Sequence, residues 1–60
     1  MDQQKIGGFL KELRKERGVT QEQLAQILGV SNRSVSRWEN GNNLPDLDLL
    51  IQISEYFETE

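Results

Sequence analysis

Residues 29–41 read GVSNRSVSRWENG, and the side chains there that could do chemistry are Asn32, Arg33, Ser36, Arg37 and Asn40. A guanidinium presents a fork of N–H donors that matches O6 and N7 of guanine. An asparagine amide matches N6 and N7 of adenine, and a serine hydroxyl serves a base or a phosphate. On a helix advancing roughly 100° per residue, these five side chains fall within an arc of about 140°, while Val35 and Trp38 point the opposite way. The segment therefore has a small apolar side for docking and an outward side made only of hydrogen-bonding groups. Two arginines on a helix are ordinarily a solvated face, but the carboxylates that would pair with them three or four positions away are largely missing here.

Other chemistry is scarce. The chain has neither cysteine nor histidine, which removes disulfides, thiolate nucleophiles, imidazole bases and the commonest zinc ligands together. Carboxylates remain, but no two of them are placed in an evident cleft, so no enzyme activity, metal or cofactor is expected. The net charge of −3 argues against a polyanionic partner until its distribution is read. Up to Arg37 there are seven lysines and arginines against four acids (Asp2, Glu12, Glu16, Glu22), and after it six acids and no base. Opposite faces of opposite sign follow, and the local potential decides what approaches.

Four helices must position the polar face. Ile6, Leu10 and Leu13, with Phe9 beside them, predict a first helix to about Arg17, ended by Gly18. Thr20 with Gln23 three positions on reads as a capping box opening a second helix that stops at Gly29. Ser31 opens a third, which ends at Asn40-Gly41. After the NNLPD turn, Asp46 and Asp48 favour a helix N-terminus, and Leu47, Leu50, Ile53 or Ser54, and Phe57 form a fourth apolar stripe. No strand pattern, repeat or linker is present. Sixty residues make one domain, burying by the usual scaling about 60% of the surface its unfolded chain exposes. The longest apolar run is Leu49-Leu50-Ile51, and MDQQKIGG lacks the apolar core of a signal peptide. A cytoplasmic location without membrane contact from this segment is expected.

The segment TQEQLAQILGVSNRSVSRWENGNNLPDL resembles the helix-turn-helix core of the phage repressor and Cro-like family, also called XRE-type regulators, and the resemblance covers about residues 6–57. It implies an all-α fold, a compact lambda-repressor-like bundle of four short helices with the usual fifth helix missing or truncated. Residues 1–60 are then a single domain with its helix-turn-helix core at 20–41, the N-terminal part of a longer protein. The resemblance also implies sequence-specific binding of double-stranded DNA by a transcriptional regulator, as a homodimer on a palindromic operator. Base contacts from Asn32, Arg33, Ser36 and Arg37 are expected, with backbone contacts from Gln21, Asn40, Asn42 and Asn43. Arg14 and Glu39 match positions that form a partly buried ion pair in the family, the alternative being two solvated charges. A different class of function stays open, in which the helix-turn-helix is a protein-interaction module of a larger protein.

Some residues depart from the family pattern. Gly7-Gly8 lies inside helix one, each glycine costing roughly 1 kcal/mol relative to alanine, so a frayed or late start is expected. Phe9 either extends the core stripe, the favoured reading, or forms an exposed patch that docks a partner or the remainder of the chain. Ser54 stands where a small apolar residue is usual, with its hydroxyl expected to bond back to its own helix. Asn42 and Asn43 replace a common basic residue, which weakens attraction to phosphate.

Overall fold

The Asp2 side chain accepts the Gln4 N–H at 2.9 Å, and α1 runs Gln3–Arg17. The computed structural model describes residues 2–58. The two glycines thus neither delay nor break the first helix, contrary to expectation, and packing supplies the reason for one of them. Gly7 is buried against the end of α3, so close that a Cβ on it would lie 2.1 Å from the Trp38 carbonyl oxygen and 2.9 Å from that of Glu39. The contact between helices outweighs the weak intrinsic propensity. Gly8 has open space where its Cβ would be, and nothing in the structure requires glycine there.

α2 (Gln21–Leu28), α3 (Asn32–Glu39) and α4 (Leu47–Tyr56) follow, with no strand among the described residues. Their starts are the caps legible in the sequence. Gln23 N–H donates to Thr20 Oγ1 at 3.0 Å while Thr20 N–H donates to Gln23 Oε1 at 2.9 Å. Ser31 Oγ receives Ser34 N–H at 3.1 Å, and Asp46 Oδ1 receives Leu49 N–H at 3.0 Å. The ends of α2 and α3 need left-handed backbone, at Gly29 (φ 72°) and Gly41 (φ 79°). At both, the residue after glycine donates back to the last helical turn, Val30 to the Ala25 carbonyl at 2.9 Å and Asn42 to that of Arg37 at 2.9 Å. Gly41 carries a second constraint, since a Cβ there would meet Gln4 Cγ at 2.6 Å.

The core is Leu10, Leu24, Ala25, Leu28, Val35, Trp38 and Ile53, with Val19, Val30, Leu49, Tyr56 and Phe57 packed around it. Leu24 and Val35 are wholly buried. Arg17 ties the end of α1 to α4, its guanidinium carbon 4.9 Å from the Tyr56 ring centre and 5.6 Å from that of Phe57.

Two apolar assignments are corrected. Phe9 does not join the core; it is 65% exposed. α4 turns Leu49, Ile53, Tyr56 and Phe57 inward, while Leu47, at 71% exposed, and Leu50 and Ser54 face out. The apolar residues of α4 cover an arc of roughly 220°, more than one neighbouring helix buries. The unburied half borders a groove of about 480 Å³ between α1 and α4, lined by Ile6, Phe9, Leu13, Leu50 and Phe57 among others. Ser54, on its edge, makes no side-chain hydrogen bond to its own helix, contrary to expectation. No helix among the described residues is long and apolar enough to cross a membrane.

Candidate nucleic-acid interface

α3 is held from beneath by Val35, 0% exposed, and Trp38, 4% exposed. This fixes which way the rest of the helix points. Asn32, Arg33, Arg37 and Asn40 are exposed on the opposite side, and Ser36 is half-buried, accepting from Asn40 Nδ2 at 3.4 Å. The Ser36 and Asn40 side chains therefore orient one another. Ser34, between the two faces, is tied to the cap by a 3.0 Å hydroxyl contact with Ser31. Among the described residues, neither Arg33 nor Arg37 has a carboxylate within ion-pair distance. Their guanidinium donors are left to solvent or to a ligand. Asn42 and Asn43 continue this exposed polar surface along the loop after α3.

The far end of α3 is anchored by charge. Arg14 Nε donates to Glu39 Oε2 at 2.6 Å and Arg14 Nη2 to Glu39 Oε1 at 3.0 Å, a bidentate pair whose side chains are 9% and 1% exposed. Arg14 Nη1 also donates to the Val19 carbonyl at 2.8 Å, which binds the α1–α2 turn to the same point. The hydrogen bond to Glu39 holds the Arg14 guanidinium above its ordinary pKa, against the opposing effect of burial, and the carboxylate charge adds to the rise. A carboxylate in the last turn of a helix opposes the helix dipole, and Arg14 offsets that directly.

Gln21 is half-buried at the start of α2, and its Nε2 donates to Glu39 Oε1 at 3.0 Å. In sequence, Gln21 is expected only as a backbone-contacting residue, with nothing that links it to the ion pair. Gly7, a weak helix former by propensity, is the notch that seats α3. A paired glycine inside an otherwise strong helical sequence was the available signal. Among the described residues, no group of His, Cys, Asp or Glu is arranged to hold a metal ion.

Residues 10–60 match the family model described as helix-turn-helix. The chain belongs to the helix-turn-helix family. This helix-turn-helix chain is 42% identical over 52 residues to a protein of Thermococcus kodakarensis described as an HTH-type transcriptional regulatory protein, a match covering 87% of the chain and 16% of that protein. It is 44% identical over 48 residues to the HTH-type transcriptional activator BcrR of Enterococcus faecalis, covering 80% of the chain and 24% of BcrR. The ImmF control region 10 kDa protein of Bacillus phage phi105 is 37% identical over 54 residues, with 90% of the chain and 60% of the phage protein covered. The chain thus spans a minor part of the first two relatives and more than half of the third.

Proposed function

We propose that this chain binds double-stranded DNA as the reading unit of a transcriptional regulator, laying the outward face of α3 in a major groove. The observation that carries the reading is the pair of guanidinium groups, Arg33 and Arg37, standing without carboxylate partners among the described residues on a helix whose other side is locked by Val35 and Trp38. In this reading Asn32, Arg33, Ser36 and Arg37 meet base edges. Gln21, Asn40, Asn42 and Asn43 hold the sugar-phosphate backbone, fixing register without specifying sequence. The names of the relatives, two regulators and a phage control-region protein, support the same assignment. We further propose that the working form is a homodimer on a palindromic operator, with half-sites about one helical turn apart. It acts in the cytoplasm as the single helix-turn-helix domain of a longer chain.

The test is affinity for a mixed-sequence duplex measured as salt is raised. Few phosphates are neutralised by a face with two arginines and neutral loop asparagines, so a shallow decline is expected, with a log–log slope of roughly −2 to −3. Undetectable or salt-independent binding by the folded domain would overturn the reading. In that case the net charge of −3 favours a protein partner for the same face.

A further inference from the structure

Glu39 carries more contacts than an ion pair needs. Arg14 alone reaches both carboxylate oxygens, yet Oε1 also takes Gln21 Nε2, each of its two bonds being 3.0 Å long. Gln21 is the first residue of α2, directly after the Thr20 cap, where helix N–H groups lack intrahelical partners. A primary amide at such a place has two orientations related by a half-turn. Turning it over exchanges, at one place, a nitrogen that can offer N–H to a phosphate for a carbonyl oxygen that a phosphate repels. With the amide turned over, its oxygen would face the Glu39 carboxylate at the distance now held by Nε2, so the carboxylate fixes the nitrogen at this place, where one N–H goes to Glu39 and the second has no protein partner among the described residues.

We propose that the Arg14–Glu39 pair is a positioning device for Gln21, holding the carboxamide so that its second N–H is available to a DNA phosphate. Arg14 and Glu39 are positioning residues that act through Gln21 and touch no DNA themselves. Glu39 joins the end of α3 both to Arg14 of α1 and to Gln21 at the start of α2, so the phosphate contact and the base-reading helix move as one body. This inference rests on the DNA reading of the α3 face.

The pair is neutral as a unit, which makes the test clean. Replacing both buried partners by apolar residues of similar volume is often neutral for stability. The double variant Arg14→Met/Glu39→Met therefore keeps fold and net charge while releasing Gln21. Wild type, Gln21→Met, the double variant and the triple variant are compared for affinity to one mixed-sequence duplex, well below melting. The side-chain amide resonances of Gln21 are recorded in the free wild-type and double-variant proteins. We expect Gln21 amide protons displaced from free-glutamine values and slow to exchange with solvent in wild type, moving to free-glutamine values and rates in the double variant. Gln21→Met and the double variant each weaken binding roughly three- to tenfold, the range of one hydrogen bond, and the triple variant is no weaker. Wild-type affinity in either Gln21→Met or the double variant, or additive losses in the triple, overturns the proposal and leaves the DNA reading standing. A held Gln21 amide in a wild type that binds no duplex overturns both.

Discussion

Gly7 and Gly8 are neighbours in sequence and helix, and the structure assigns opposite signs to the same substitution at each. In Gly7→Ala, the new Cβ would lie 2.1 Å from the Trp38 carbonyl oxygen. That is roughly 1.3 Å inside ordinary van der Waals contact, and the opposing atoms are helix backbone, which cannot swing aside as a side chain would. Relief requires α1 to lift off α3, at an overpacking cost of about 1–3 kcal/mol or more, against about 1 kcal/mol gained from alanine's helix propensity. Gly8→Ala meets no atom within 4 Å and keeps only the gain. The assay is thermal unfolding followed by circular dichroism. For a domain of this size 1 kcal/mol moves the melting temperature by roughly 4–8 °C, so Gly8→Ala rises by several degrees while Gly7→Ala falls. Two substitutions that shift it in the same direction would refute the close approach of α1 and α3.

Glu39→Ala leaves Arg14 buried without its carboxylate and should cost about 3–5 kcal/mol, measured by urea unfolding; an unchanged midpoint would dismiss the pair as an anchor. Thr20→Ala removes the cap of α2 and should cost about 1 kcal/mol in the same assay. Arg37→Ala, on an exposed face, should leave the unfolding midpoint within about 0.5 kcal/mol of wild type. The same variant should weaken duplex binding about tenfold, by anisotropy titration, in line with one lost base contact.

The helix boundaries were legible because they are local. A threonine three positions before a glutamine, or a glycine after an apolar stripe, states its own hydrogen bonds within one turn of chain. The outward arc of α3 was legible for a similar reason, since helical geometry alone separates Asn32 and Arg33 from Val35 and Trp38. Gly7 was not, because its role depends on a carbonyl more than thirty residues away, and local propensity pointed the other way. Phe9 and α4 failed for a related reason. An apolar arc wider than one neighbour can cover leaves its buried half undetermined until the packing of α1 and α2 is known. Leu47 and Leu50 read as core residues in a pattern that does not record which side the partner lies on. The Gln21–Glu39 contact, like the Gly7 notch, spans two elements and left no trace in either one's own periodicity.

The polar face of α3 is proposed to be a DNA-reading surface. Its most direct measurement is an NMR titration of the domain with a mixed-sequence duplex at low salt, repeated at higher salt. On a DNA-reading face the amides of Gln21, residues 32–37 and residues 40–43 shift together, and the shifts fade as salt rises. Amides that stay still in the folded domain, or shifts gathered instead around the groove between α1 and α4, would contradict it.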